Sequence, residues 1–257
     1  MINYLDLVDY ILYHGERVPT RSGRCLKAFD FKLSWDLADG FPIVTTKKIH
    51  FKSVVTELLW FLKGGTDTKY LHEHGVTIWD EWADETGYLG PVYGHQWRNL
   101  KVDQIKYLIR ELKTNPQSRR LLVNSWNVEQ LHEMALPPCH YAFECYVRDR
   151  IWLDLKWHQR SVDVMLGLPF NISSYAILLT LLAKEVNLRP GKLIADLGNC
   201  HIYENHIEGA SEQLCRFPMS LPTLHISSEK NIFELEPQDI WLENYDSHPP
   251  IKFEIAV

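Results

Sequence analysis

The sequence predicts an α+β fold with one large mixed β-sheet flanked by helices, and three observations carry that expectation. Residues 29–37 alternate with period two: Phe29, Phe31, Leu33, Trp35 and Leu37 are apolar while Asp30, Lys32, Ser34 and Asp36 are polar, as in a half-buried strand. Stretches at 51–63 and 103–113 repeat apolar residues at helical spacing instead. Helices and strands then mix along the chain without the regular strand-helix alternation of a parallel α/β protein.

In chain order, Leu5, Val8, Ile11 and Leu12 share a helical face, and Gly15 supplies the stop. The alternating strand follows. The helix over 51–63 ends at Gly64-Gly65, and Asp103 is the natural cap of the helix over 103–113. Arg119 to Trp126 reads as strand. The stretches 141–147 and 151–158 flank the polar break Arg148-Asp149-Arg150 and predict a hairpin. Ser173 to Val186 is apolar nearly all round, which predicts a buried central helix, and another helix is expected near 204–215. No repeat, low-complexity tract or linker divides the 257 residues, of which 46% are hydrophobic. A single domain over 1–257 with one large core is expected.

Composition excludes several functional classes. The apolar runs at 54–62 and 176–183 fall short of the roughly 20 residues a membrane helix needs. MINYLDLVDYILYHG mixes acidic with apolar residues and lacks the basic start and small-residue cleavage site of a secretory signal, so a cytoplasmic protein without a membrane partner is expected. A formal charge of -6 disfavours broad attraction to nucleic acid, and no obligatory nucleic-acid partner is expected. Cys25, Cys139, Cys145, Cys200 and Cys215 are odd in number and scattered, with no CxxC pair, so reduced thiols and no metal are expected. His72 and His74 lack the spacing of a helical metal site, and no glycine-rich phosphate loop is present.

Chemistry concentrates in a few segments. Leu136-Pro137-Pro138-Cys139-His140 sets a thiol after two prolines, which restrict the chain that presents it. Cys139 is either a small buried hydrophobe or a nucleophile, and the second role needs nearby positive charge to form the thiolate. Gln159-Arg160-Ser161-Val162-Asp163 gathers a guanidinium, a hydroxyl and a carboxylate, a set that suits a phosphate. Arg119, Arg120 and Arg21 offer further forked donors, although each by itself reads more readily as a solvated surface charge than as a binding group. Glu57 stands in the apolar run Val54 to Leu62, where a carboxylate needs partners or a task. His201 and Tyr203 are two apart on a strand, so both face one side, either to grip a ligand or as a satisfied core pair.

Together these segments resemble the thymidylate synthase family over nearly the whole chain. The most specific matches are Asp39-Gly40-Phe41-Pro42 with Thr45-Thr46-Lys47, Glu57 to Leu62, Ile78-Trp79-Asp80-Glu81-Trp82, Gly90-Pro91-Val92-Tyr93-Gly94, Pro138-Cys139-His140, Gln159-Arg160-Ser161, Gly167 to Ile172, and His201-Ile202-Tyr203. The resemblance implies a homodimer in which Arg119 and Arg120 complete the partner's site. It implies that Cys139 attacks C6 of dUMP, that Arg160 favours the thiolate, and that Arg160, Arg21 and Ser161 hold the phosphate. Asn171 would read the pyrimidine edge, His201 and Tyr203 the sugar hydroxyl, and Glu57 and Tyr93 would manage protons. The co-substrate would be methylenetetrahydrofolate, held by Lys47, His50, Ile78, Trp79, Asp163, Leu166, Gly167, Phe170 and the terminal Val257, at the end of a tail that closes the site.

Four positions depart from the family pattern: Asn199 stands for the usual Asp, His158 for Tyr, Glu144 for Gln, and Arg24 for a small residue. They bear on the last step, in which hydride gives a methyl group and water would give hydroxymethyl. The resemblance implies the methyl-forming enzyme, with a dUMP hydroxymethylase as the alternative. A third alternative, an idle nucleotide- or RNA-binding regulator, has no need of Cys139, Glu57, Tyr93 and Asn171 together.

Overall fold

A computed structural model describes residues 1–21, 23–227 and 229–255; the expectation for Val257 lies outside them. The elements in order are α1 (Ile2–His14), β1 (Glu16–Thr20), β2 (Gly23–Asp36), α2 (Phe51–Leu62), α3 (Lys69–Glu73), α4 (Tyr93–Arg98), α5 (Gln104–Thr114), β3 (Leu122–Asn124), β4 (His140–Arg148), β5 (Trp152–Asp163), α6 (Gly167–Glu185), β6 (Arg189–Tyr203), α7 (Ile207–Leu214), β7 (Thr223–Ile226) and β8 (Ile240–Glu243). Among the described residues, the main sheet runs β1-β2-β6-β5-β4-β3, with β7 and β8 forming a separate pair. The β5–β6 pair is parallel and the other neighbours are antiparallel, so the sheet is mixed as expected.

Local signals behave as read. The Asp103 side chain accepts from Lys106 N–H and caps α5. α2 stops at Leu62, and Gly64 takes φ +79, a backbone angle that side chains disfavour. The long apolar helix starts earlier than its apolar run, at Gly167, with Pro169 tolerated in its first turn. The strand expected over 119–126 shrinks to Leu122–Asn124, whose ladder with β4 ends in single backbone bonds at Leu121 and Ser125. The strand expected at 29–37 instead begins at Gly23, where pairing with β1 extends it through a stretch without alternation.

One face of the sheet is dry. Phe143, Leu153, Leu155, Trp157, Leu193 and Ala195 are buried on it, and α6 lies over them with Tyr175 stacked on Trp157 at 5.1 Å. Each such fully buried Leu contributes roughly 1.5–3 kcal/mol. The opposite face presents Lys32, Ser34, Glu144, Tyr146, Lys156, His158, Ile194 and Asp196, none of them buried.

The two faces exchange residues near one level. Burial alternates through Trp157 and Gln159 on β5, then resumes out of phase at Val162; on β6 it passes from Leu197 to Cys200 in the same way. These positions are neighbours, since Gln159 pairs with Leu197 and Val162 with Cys200. On β2, Asp30 takes φ +71 between the partners of Asn199 and Leu197, and β4 carries a bulge at Tyr141 between His140 and Ala142. A one-residue change of phase turns side chains to the other face. The kink therefore re-aims Arg160, Ser161 and His201 at the end of the sheet where Cys139 enters β4.

Candidate active site

Cys139 is held through its own peptide. Its N–H donates to Tyr93 Oη at 2.8 Å, and its carbonyl accepts from Arg160 N–H at 2.9 Å. The Arg160 guanidinium bonds the preceding carbonyls, Nε to Pro138 O and Nη2 to Pro137 O, both at 2.9 Å, and lies 5.0 Å over the Trp126 ring. The two prolines thus present carbonyls as well as restricting the chain. Burial pushes the Cys139 thiol above its ordinary value; Arg160 offsets part of this and Asp163 adds to it. The charge expected to favour the thiolate is in place, but within one chain it does not outweigh desolvation.

Beneath the cysteine lies a column of buried rings and one acid. Tyr93 stacks on His140 at 4.2 Å and touches Phe61 at 4.8 Å. His140 Nδ1 is 2.9 Å from Tyr175 Oη, and burial lowers this imidazole to about 3. Glu57 accepts from Trp79 Nε1 at 2.8 Å, and burial, countered only in part by that bond, raises its carboxyl to about 7. Tyr93 is pushed far up by burial and by the nearby Cys139, Tyr175 and Glu57. A carboxyl poised near neutrality beside a thiol and a tyrosine can move a proton at physiological pH. His140 was legible only as part of a motif; its role as a neutral platform comes from burial.

Asn171 is aimed by a chain of unambiguous donors. Trp157 Nε1, which can only donate, bonds Gln159 Oε1 at 3.1 Å. Gln159 Nε2 must then donate, and it does so to Asn171 Oδ1 at 3.1 Å. Asn171 keeps its amide N–H groups and one lone pair for a ligand, which suits a pyrimidine edge with an adjacent acceptor and donor. Sequence reasoning passed over Gln159 as a functional residue, although its place before Arg160 was a signal.

The remaining expected residues divide. Asp163 pairs with His201 across β5 and β6, and its Oδ1 accepts from Met165 and Leu166 N–H at the start of α6. His201 Nδ1 lies 3.3 Å from Asn199 Oδ1; burial lowers its imidazole, with Asp163 acting the other way. Burial raises the Tyr203 hydroxyl above its ordinary value, with Asp163 and Cys25 adding to this and Arg21 opposing, and Tyr203 pairs with Cys25 across β2 and β6. Ser161, Leu166, Gly167 and Phe170 are half-buried along the same rim, as is Ile78 beside the buried Trp79. Arg21 is exposed at the β1–β2 turn. Arg119 and Arg120 are exposed at the opposite sheet edge, just before β3, with no ion pair among the described residues. His50 is exposed and bonds Ser53 at 2.7 Å. Lys47 is turned inward: it donates to the Met165 carbonyl, lies 4.3 Å from the Phe253 ring centroid, and is lowered by burial to about 8, with Asp163 opposing.

Two of the departures from the family pattern meet. His158 Nε2 lies 3.2 Å from Glu144 and its Nδ1 2.9 Å from Asp196, while Lys156 also reaches Glu144, all on the open sheet face. Hollows of about 720 and 490 Å³ lie at the other end of β4, by the C-termini of α5 and α6, and include none of the expected site residues. All five cysteines are free thiols. Among the described residues no cluster could hold a metal ion, and no helix is long and apolar enough to cross a membrane. A held thiol near a guanidinium, a poised carboxyl and an oriented amide have the chemistry that nucleophilic catalysis calls for. The family model described as thymidylate synthase matches residues 2–257, and the chain belongs to the thymidylate synthase family.

Proposed function

We propose that residues 1–257 act as one catalytic domain that methylates dUMP at C5 to give dTMP, with methylenetetrahydrofolate as donor of both the one-carbon unit and the hydride. Family membership supports the nucleotide and the folate co-substrate. The observation that carries the reading is the clamping of Cys139 between Tyr93 and Arg160 at 2.8 and 2.9 Å, with an acid that titrates at about 7 also acting on Tyr93. In this reading the Cys139 thiolate attacks C6 of the uracil, the electron pair moves to C5 as an enolate, and C5 bonds the one-carbon unit. Glu57 manages protons at the ring, and Tyr93 assists loss of the C5 proton. Loss of that proton expels the tetrahydrofolate amine and leaves an exocyclic methylene at C5, hydride from tetrahydrofolate adds to it to give the methyl group, and Cys139 leaves C6 as the C5–C6 double bond re-forms.

Arg160 keeps Nη1 free of the two proline carbonyls, which supports phosphate binding together with Arg21 and Ser161. His201 and Tyr203 take the sugar hydroxyl, and Asn171 reads the pyrimidine edge. Trp79, Ile78, His50, Asp163, Leu166, Gly167 and Phe170 line the folate side, with Lys47 beneath it. In the homodimer of this reading, Arg119 and Arg120 from a partner would add positive charge to a site where one chain's guanidinium does not outweigh the desolvation of Cys139. The protein works in the cytoplasm in this reading. Mass spectrometry of the product from dUMP and methylenetetrahydrofolate tests it. A methyl product is expected, a product with one additional oxygen would make the enzyme a hydroxymethylase, and unaltered dUMP would overturn both.

A further inference from the structure

The C-terminal segment is seated on the body of the protein by residues that the nucleotide chemistry does not use. Ile251 and Phe253 press against Gly209 of α7 so closely that a Cβ there would lie 2.7 Å from Phe253 Cε1 and 2.9 Å from Ile251 Cγ2. Phe253 is buried and meets the His206 ring edge-on at 5.0 Å. His206 is wholly buried, and its Nε2 lies 2.7 Å from the Glu254 carbonyl. A carbonyl only accepts, so the ring proton is on Nε2. Nδ1 has no hydrogen-bond partner among the described residues, so the Glu254 bond is the one that orients this imidazole.

The same imidazole reaches back toward the site. Its ring meets Tyr203 edge-on at 5.6 Å, and Tyr203 meets His201 edge-on at 5.2 Å. His206 ends the 3₁₀ turn Glu204–His206 that follows β6 without a break, so its backbone moves with the strand that carries His201 and Tyr203. Four rings therefore form a packed column from the strand end to the chain terminus, and edge-to-face contacts of this kind prefer particular geometries.

We propose that His206 is a positioning residue that latches the C-terminal segment and passes the seating of the nucleotide's sugar on His201 and Tyr203 to that segment. The coupling rests on the nucleotide reading above. The latch does not, because all its contacts lie within the chain.

The test follows carboxypeptidase release of C-terminal residues from the full-length protein by mass spectrometry, with and without dUMP. Dye-free calorimetry measures dUMP affinity, and kcat and KM are determined for each variant. Without ligand, His206→Phe and Gly209→Ala release residues about tenfold faster than wild type, the order expected for losing one buried bond or contact from a local docking equilibrium. His206→Asn, whose shorter amide falls short of Glu254, repeats the loss without a bulkier ring. His206→Gln, whose amide nitrogen reaches the Nε2 position, stays within about threefold of wild type. Bound dUMP slows release in wild type and His206→Gln but much less in His206→Phe. The latter shows a lower kcat and a higher KM for folate, with dUMP affinity within about threefold, a split that general loss of structure would not produce. Wild-type release rates in His206→Phe, His206→Asn and Gly209→Ala would overturn the latch, and equal protection by dUMP in His206→Phe and wild type would overturn the coupling. Failure of wild type to bind dUMP would sink the nucleotide reading and the coupling with it, while the ligand-free rates still decide the latch.

Discussion

Two clusters of ionisable side chains, one where α2 meets the start of β4 and one across the middles of β4, β5 and β6, sit in opposite electrostatic situations. Under Cys139, Glu57 and His140 are surrounded by rings, and burial moves them in opposite directions, to about 7 and about 3, so that both favour the neutral form. On the open sheet face, burial also pushes the Glu144 carboxyl up, but Lys156 and His158 more than reverse it and the group titrates below its ordinary value. The first cluster holds uncompensated polar groups in a dry place, and the second neutralises its own charges in a wet one. Desolvation without a countercharge is costly and is kept where chemistry uses it, whereas paired surface charges cost little and add little. The contrast supports the proposed placing of the chemistry at the first cluster and of packing or solvation at the second.

The sharpest way to break that division is Cys139→Ser. Turnover is expected to fall by roughly 10⁴-fold or more, to background, because the hydroxyl is a far weaker nucleophile. Tritium release from C5-labelled dUMP disappears with it, while dUMP binding persists in calorimetry. Residual turnover would move the nucleophile elsewhere and dissolve the column's claim to the chemistry.

Glu57→Gln comes next, with an expected loss in kcat of roughly 10²–10⁴-fold. Stability should move the other way. A carboxyl raised from 4.5 to about 7 keeps its proton in the folded chain after the unfolded chain has lost it, so stability falls as pH rises through that window and stays low above it. Removing the charge should restore up to roughly 3 kcal/mol at pH 8 and almost nothing at pH 4. Urea unfolding at the two pH values reads this directly, and an identical pH dependence in the variant would contradict a desolvated acid.

Glu144→Gln is the smallest. Its carboxyl is depressed, so its contribution is present at neutral pH and is lost as pH falls through the acidic range. With the side chain 42% exposed, solvent screening holds that contribution to about 1 kcal/mol or less. Turnover within about twofold of wild type is expected, and a large loss in kcat would place the open-face cluster in the catalytic machinery and erase the comparison.

Much of this was legible along the chain. The Asp103 cap, the Gly64 stop, the Arg148-Asp149-Arg150 break and the apolar run after Ser173 are local signals, and the elements formed around them. Cys139 stood out because it follows two prolines. The strand at 119–126 was overextended, since its ladder with β4 covers Leu122–Asn124 and ends in single bonds at Leu121 and Ser125. His140 and Gln159 were not singled out, because a stacked ring and an oriented amide acquire meaning only from neighbours. Lys47 was expected to offer its charge to the co-substrate, and its burial under Phe253, more than 200 positions away in sequence, could not be read from its neighbours.

The sequence by itself determined the mixed α+β character, the main helices α1, α2, α5 and α6, the β4–β5 hairpin, and, through motif order, the family. These follow from steric and periodic rules acting over a few residues. Tertiary structure alone decided the shared kink of β2, β4, β5 and β6, the direction of the Asn171 amide, the poise of Glu57, and the seating of Phe253 on His206. Each depends on desolvation or on contacts between distant parts of the chain, and those exist only once the core has closed.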